Sequence, residues 1–167
     1  MNSRDIALRA SFTALVFIAT AIIPPIPIAA TGGYFNFGET AIYITALLFG
    51  GMTAGFAGGV GSALADLYLG FGSFAPITLV VKGTEGFLVG IIGKRRDIRT
   101  RLMALSIGGI VLMSGYFIAE TVLFGLPAAL EELPFNFAQF LVGTVVALSV
   151  VATLEKKGIN FFNTEAS

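Results

Sequence analysis

Six apolar segments, separated by short stretches of Gly, Pro and charged residues, dominate this chain. A helix needs about 20 apolar residues to cross the roughly 30 Å hydrocarbon layer of a membrane. Six crossings with short loops would therefore use nearly all of the 167 residues. The segments occupy residues 6–23, 38–50, 53–70, 77–93, 102–124 and 136–154. We therefore predict an all-α membrane protein whose residues 1–167 form a single domain, a bundle of six transmembrane helices.

The composition supports a membrane protein and excludes several other classes. Only 12% of the residues are charged, whereas a soluble domain has about 25%. Cys and His are both absent, which removes disulfides, thiolate nucleophiles, imidazole bases and most zinc sites. Most hydrolase and redox enzymes therefore lack their usual residues here, and we expect no metal and no cofactor. Basic residues form no tract beyond one loop, so nucleic acid is not an expected partner.

The basic residues predict the orientation of the chain. Lys and Arg that flank membrane helices remain on the cytoplasmic side. With six crossings, nine of the ten basic residues fall on one side, whereas the loops at 24–37, 71–76 and 125–135 contain none. The nine are Arg4, Arg9, Lys94, Arg95, Arg96, Arg99, Arg101, Lys156 and Lys157. Both termini are therefore predicted to be cytoplasmic.

Five ionisable residues interrupt the apolar segments, all in the predicted outward half of the membrane. A charge at the centre of a membrane helix costs roughly 2.5 to 3.5 kcal/mol, so such residues usually face a bundle interior or a wet cavity. The five are Glu39, Asp66, Lys82, Glu85 and Glu120. Further polar residues fall at the same level, among them Tyr34, Asn36, Tyr116, Asn136 and Gln139. This distribution predicts an outward-facing binding pocket with a closed floor.

The charges within this pocket predict an ion pair and a ligand preference. Lys82 and Glu85 are three residues apart and share a helix face, and we expect Lys82 to form a structural ion pair with Asp66. One positive and four negative residues favour a neutral or cationic ligand over an anionic one. Anionic compounds such as folate, biotin and pantothenate are therefore disfavoured as ligands of this pocket.

Small residues predict two helix-packing surfaces. Ala10 and Ala14 on the first helix have the small-xxx-small spacing that allows close approach of another helix in lipid. Glycines recur through the third and fourth segments, and we expect these two helices to pack against each other.

Four sequence blocks resemble the substrate-binding S component of energy-coupling factor (ECF) transporters, and most closely its riboflavin-transporter-like branch. The resemblance runs through about the first 95 residues, from the first helix to the fourth. The blocks are Gly33-Tyr34-Phe35-Asn36-Phe37-Gly38-Glu39-Thr40, Leu48-Phe49-Gly50, Gly61-Ser62-Ala63-Leu64-Ala65-Asp66 and Lys82-Gly83-Thr84-Glu85-Gly86.

The resemblance implies capture and uptake of a vitamin or vitamin precursor at the plasma membrane of a prokaryote. Riboflavin, pyridoxine-like compounds and the hydroxymethylpyrimidine part of thiamin are the substrates of such branches. The partners implied are a transmembrane coupling (T) subunit and two cytoplasmic ATPase subunits. In the family the coupling subunit docks on a surface of the first helix that corresponds here to Ala10 and Ala14. The implied ligand contacts are Tyr34, Asn36, Glu85, Tyr116, Glu120, Asn136 and Gln139, to which the pocket charges add Glu39 and Lys82.

Two other functions remain open at this point. An intramembrane enzyme could use Asp66, Glu85 or Glu120 as an acid, a base or a metal ligand, although such enzymes usually have paired acidic motifs within one turn. A membrane scaffold protein would have no small-molecule ligand, and its outward-half charges would then serve no purpose.

Overall fold

The computed structural model describes residues 3–23, 26–27, 34–95 and 97–158 of the chain. Gly33 of the first sequence block and Arg96 of the basic loop lie outside these residues. The described part is almost entirely helical, with six α-helices, a π-helical turn at Ile18–Ile22 that continues the first helix, and one pair of two-residue strands. The elements are α1 (Ser3–Phe17), β1 (Ile26–Pro27), β2 (Tyr34–Phe35), α2 (Gly38–Phe49), α3 (Gly51–Leu69), α4 (Ala75–Ile92), α5 (Ile98–Phe124) and α6 (Leu126–Lys156).

The observed helices confirm the predicted all-α class. Four helices in the described residues are long and apolar enough to cross a membrane by themselves: α1 with its continuation to Ile22, α4, α5 and α6. Helix α2 has 12 residues, which corresponds to a length of about 18 Å at 1.5 Å per residue. Because nearly all of its side chains are buried against other helices, α2 does not have to match the thickness of a membrane.

Helix α2 forms the centre of the bundle. It contacts α1, α3, α4 and α6, and its Ile42, Tyr43 and Leu47 are completely buried. The neighbouring helices add Val16, Val89, Leu105 and Val151 to the same apolar core. The outer sides of α5 and α6 instead expose large apolar residues such as Ile110 and Val145.

Helices α3 and α4 make the most extensive helix contact in the described residues, as their glycines predict. A Cβ atom on Gly86 would lie 2.7 Å from the carbonyl oxygen of Ala54, and one on Gly59 would lie 2.8 Å from that of Leu79. Real Cβ atoms essentially never approach this closely. Glycine is therefore required at both positions for the observed separation of the two helices.

The prediction of an outer loop at 125–135 is wrong. The chain turns at Gly125, whose φ of 89° favours glycine, and α6 begins at the next residue. Pro127 fits the first helical turn, where a backbone N–H has no helical partner, and the helix continues through Pro134. Glu131 and Glu132 are consequently helical, and Glu132 is buried.

Polar contacts fix the start of α5 and its packing on the end of α6. Asp97 caps α5, and its carboxylate accepts a hydrogen bond of 2.8 Å from the Thr100 backbone N–H. This hydrogen bond lowers the pKa of Asp97, which is fully exposed. One turn further, the guanidinium of Arg101 donates two hydrogen bonds, of 3.0 and 2.6 Å, to the carboxylate of Glu155 at the end of α6.

Candidate functional site

A cavity of about 50 Å³ lies where α1, α3 and α5 end and α2, α4 and α6 begin. The basic residues Lys94, Arg95 and Lys156 lie at the opposite ends of the helices. Polar and aromatic side chains line most of the cavity. They are Thr20, Tyr34, Asn36, Ser62, Asp66, Phe71, Phe74, Thr78, Lys82, Tyr116, Glu120, Glu132, Asn136 and Gln139.

The structure brings most of the residues selected from the sequence to this cavity. Seven of the nine expected ligand contacts line it, namely Tyr34, Asn36, Lys82, Tyr116, Glu120, Asn136 and Gln139. Glu39 and Glu85 do not line it. Both are almost completely buried and contact Lys82 from α2 and from the next turn of α4.

Lys82 is the centre of a buried charge network at one side of the cavity. Its Nζ donates to Oε2 of Glu39 and lies 3.7 Å from Oε2 of Glu85. Tyr43 supports the network from below, because its hydroxyl donates a hydrogen bond of 2.7 Å to Oε1 of Glu85. One lysine is thus shared between two carboxylates.

The expected ion pair between Asp66 and Lys82 is replaced by this network. The salt bridges of Lys82 in the described residues are to Glu39 and Glu85, whereas Asp66 accepts a hydrogen bond from Tyr34. The spacing of residues along a helix indicates which side chains share a face. It does not indicate which neighbouring helix that face meets, and here Glu39 at the start of α2 is the nearer partner.

Gln139 connects the charge network to the segment before α2. Its Nε2 donates a hydrogen bond of 3.2 Å to Oε2 of Glu39. Its Oε1 accepts one of 3.1 Å from the backbone N–H of Asn36. The side chain of Asn36 in turn accepts a hydrogen bond of 2.8 Å from the Gly38 N–H at the first turn of α2. Both the carbonyl oxygen and the NH₂ group of the Gln139 side chain are therefore hydrogen-bonded.

Tyr34 closes the cavity above α3. Its hydroxyl donates a hydrogen bond of 2.7 Å to Oδ1 of Asp66, and its ring stacks on Phe71 with 4.9 Å between the ring centroids. Burial and the adjacent Asp66 carboxylate raise the pKa of Tyr34. Its hydroxyl therefore remains protonated and available as a donor.

The opposite wall is acidic. Glu120 of α5 lies beside Glu132 and Asn136 of α6, and both carboxylic residues are buried. Between this wall and Lys82, the Tyr116 hydroxyl and Thr78 Oγ1 form a hydrogen bond of 2.9 Å. The cavity thus has one cation at its floor and acceptors around its sides.

Sequence reasoning missed several lining residues, of which Glu132 is the most informative. Glu132, Asn136, Gln139 and Gly143 are spaced by four, three and four residues, which places them on one face of a helix. That spacing would have identified Glu132 had the segment before 136 been taken as helical. Thr20, Ser62, Phe71, Phe74 and Thr78 lacked any such signal, since small hydroxyl and Phe residues are common in membrane helices.

A second feature is an apolar groove on the outer surface of α1 and α3. Ala10 and Ala14 are both exposed there. Their small side chains leave a depression beside the larger side chains around them. The groove is lined by Ala10, Thr13, Ala14, Phe17, Phe56, Leu64 and Tyr68.

Comparison with known proteins places the chain in a family. Residues 1–156 match the family described as ECF-type riboflavin transporter, S component. A Pyrococcus woesei protein described as uncharacterized, in a gap 3' region, is 42% identical over 139 residues, which cover 83% of this chain and 93% of the relative. The thiamine precursor transporter HmpT of Lactococcus lactis subsp. cremoris is 30% identical over 159 residues, which cover 95% of this chain and 92% of HmpT.

These matches extend over α5 and α6 as well as the first four helices, and they confirm the resemblance that the sequence blocks indicated. The family consists of transporter components that bind substrate and are not enzymes. The chain therefore belongs to the substrate-binding S components of ECF-type transporters, in the family of the riboflavin transporter S component.

Proposed function

We propose that this S component captures a vitamin precursor with a single aromatic ring in the cavity between Tyr34, Lys82 and Glu120. The observation that carries the proposal is the composition of the cavity wall, in which α3, α4, α5, α6 and the segment before α2 place acceptors and aromatic rings around one small space. Binding sites for small molecules typically combine apolar walls with a few convergent polar groups.

The cavity charge favours a neutral or cationic ligand. Asp66, Glu120, Glu132 and Lys82 line the cavity, and Glu39 and Glu85 stand behind Lys82. Carboxylic groups thus outnumber the lysine by five to one in and around the cavity. An anionic vitamin would meet repulsion from this wall.

The size of the cavity favours a small ligand. About 50 Å³ is well below the roughly 300 to 1,000 Å³ of typical ligand sites, so any vitamin requires the surrounding side chains to move. A pyrimidine or pyridine ring requires less rearrangement than the tricyclic ring of riboflavin. The relative HmpT, a thiamine precursor transporter, is consistent with this choice. Riboflavin is the second candidate, because the family description names it and the stacked rings of Tyr34 and Phe71 suit a flat ligand.

We further propose that the cavity opens toward the outside of the cell, with all six helices crossing the membrane and both termini in the cytoplasm. The positive-inside rule supports this orientation. Lys94, Arg95, Arg99 and Lys156 lie at the helix ends farthest from the cavity. The ligand would then bind from the outside, before any coupling subunit acts.

The groove on α1 and α3 is our proposed docking surface for the coupling subunit. Ala10 and Ala14 are exposed in this groove, and small residues on a membrane helix allow a partner helix to approach closely. Two ATPase subunits attached to the coupling subunit would then drive release of the ligand into the cytoplasm.

Native mass spectrometry of the purified chain tests the capture function. We expect one small molecule to remain bound per chain, and a denatured extract to contain a pyrimidine or pyridine vitamin precursor. A chain that carries no small molecule, and whose thermal unfolding is unchanged by riboflavin, pyridoxine or hydroxymethylpyrimidine, would contradict the proposal.

A further inference from the structure

Two buried carboxylate oxygens in the cavity wall have no hydrogen-bond partner among the described residues. They are Oδ2 of Asp66 and Oε2 of Glu120. Asp66 is 4% and Glu120 is 3% exposed, and both residues line the cavity. Water outside the bundle therefore does not satisfy these two oxygens.

Two other buried carboxylates also have an oxygen without a hydrogen-bond partner, but they are not part of the cavity wall. Oε1 of Glu39 and Oε2 of Glu85 lack hydrogen-bond partners in the same part of the chain. Neither residue lines the cavity, and both carboxylates form a salt bridge with Lys82. The positive charge of Lys82 is thus already committed to these two residues, and Asp66 and Glu120 receive no salt bridge from it.

A buried acceptor without a donor is unfavourable by about 1 to 3 kcal/mol, and by more when the group is charged. Oδ1 of Asp66 accepts from the hydroxyl of Tyr34, and Thr78 also lies beside this carboxylate, but Oδ2 has no hydrogen-bond partner in the described residues. Glu120 has a second carboxylic residue, Glu132, beside it together with Asn136, and its Oε2 likewise has no partner there. A ligand that donates hydrogen bonds to Oδ2 of Asp66 and to Oε2 of Glu120 would remove both penalties, whereas a phosphate or carboxylate on the ligand would add repulsion.

From this arrangement we infer that Asp66 and Glu120 are the specificity-determining pair, and that they select an aromatic ring with hydrogen-bond donors at two positions and no anionic group. An exocyclic amine, a ring N–H or a hydroxymethyl group supplies such a donor. The inference rests on the proposed capture function and defines its substrate class, of which aminopyrimidines are the simplest members. Phe71, Phe74 and Tyr116 supply the aromatic surface against which the ring packs.

A matched pair of ligands tests the inference on the wild-type chain. The first is 4-amino-5-hydroxymethyl-2-methylpyrimidine, and the second is its 4-methoxy analogue, in which an acceptor replaces the exocyclic donor and the ring nitrogens carry no hydrogen. In calorimetric titrations we expect the amine to bind at least tenfold more tightly than the methoxy compound. We expect the phosphate ester of the amine to bind at least tenfold more weakly than its free alcohol. Equal affinities for the two pyrimidines, or for the alcohol and its phosphate ester, would overturn the inference.

Variants then assign the selectivity to the two residues. Asp66→Asn and Glu120→Gln keep the side-chain shape but replace one acceptor oxygen by a donor, so the variant of the residue that accepts from the exocyclic amine should lose the amine preference. Glu131→Gln is the matched control, because Glu131 is exposed on α6 and its variant should keep the wild-type preference. If both variants fold and both keep the preference for the amine, the assignment of selectivity to Asp66 and Glu120 is wrong. If a variant fails to fold, the comparison of ligands on the wild-type chain decides the inference.

The same titrations separate this inference from the proposed function. If riboflavin binds tightly and the single-ring compounds do not, the inferred substrate class is wrong, but vitamin capture as the function still holds. Absence of binding for every compound in the vitamin panel would refute vitamin capture itself.

Discussion

Lys82 has a structural role that can be measured independently of ligand binding. It is 3% exposed and forms salt bridges with both Glu39 and Glu85. Removing one partner of a buried ion pair leaves an uncompensated charge and typically destabilises a protein by about 3 to 5 kcal/mol. We therefore expect Lys82→Met to lower the free energy of unfolding in detergent by about this amount, measured by chemical denaturation.

A second substitution identifies the cause of that loss. Adding Glu39→Gln to Lys82→Met removes one of the two unneutralised carboxylates, so part of the lost stability should return. Lys94→Met is the control, because Lys94 is exposed and its variant should unfold like the wild type. If Lys82→Met has wild-type stability, the charge network is not a structural element.

At the residue scale, the sequence predicts which side chains gather but not how they pair. The high energy of charges in a membrane indicated that Glu39, Asp66, Lys82 and Glu120 share one interior region, and the structure places them there. The partner of Lys82 depends on the rotation of α2 and α3 about their axes. Tyr43 was missed for a related reason, since a Tyr in an apolar segment gives no sign that its hydroxyl contacts a buried carboxylate.

Among the helices, the predicted segments and the observed elements agree to within a few residues except before α6. Gly and Pro predict a loop across 125–135, but Pro127 and Pro134 are both helical. A proline near a helix start removes no hydrogen bond that the first turn needs. The first turns of α6 pack in the bundle and bury Ala129 and Glu132, a tertiary contact that composition alone does not reveal.

The contact between α3 and α4 yields a matched pair of substitutions on one helix. A Cβ atom on Gly86 would lie 2.7 Å from the Ala54 carbonyl oxygen, whereas one on Gly83 would lie 3.5 Å from its nearest neighbour, an ordinary contact distance. Overpacking a tight interface typically costs about 1 to 3 kcal/mol. Gly86→Ala should therefore lower the unfolding temperature while Gly83→Ala should not, and equal effects would contradict this packing.

For the molecule as a whole, the absence of Cys allows the orientation to be tested with single introduced cysteines. Ser73 lies in the exposed turn before α4 and Lys157 directly follows α6. We expect a membrane-impermeant maleimide to label Ser73→Cys in intact cells and Lys157→Cys only after permeabilisation. The reverse result would place the cavity on the cytoplasmic side.

Docking of the coupling subunit should depend on the groove of α1 and α3 but not on the cavity. Ala10→Leu fills the groove, so we expect less coupling subunit to co-purify with the variant. Ligand binding by the isolated variant should be unchanged. Ala138→Leu is the control, since Ala138 is an exposed alanine on α6 away from the groove. Normal assembly of Ala10→Leu would exclude this surface.

The central claim of this account is that the isolated chain binds a vitamin precursor with a single aromatic ring. Calorimetric titration of the purified wild-type chain with hydroxymethylpyrimidine, pyridoxine and riboflavin tests it most directly. We predict saturable binding of one hydroxymethylpyrimidine or pyridoxine molecule per chain, with a dissociation constant below about 1 μM, which corresponds to about −8 kcal/mol. A folded chain that binds neither single-ring compound would contradict the claim.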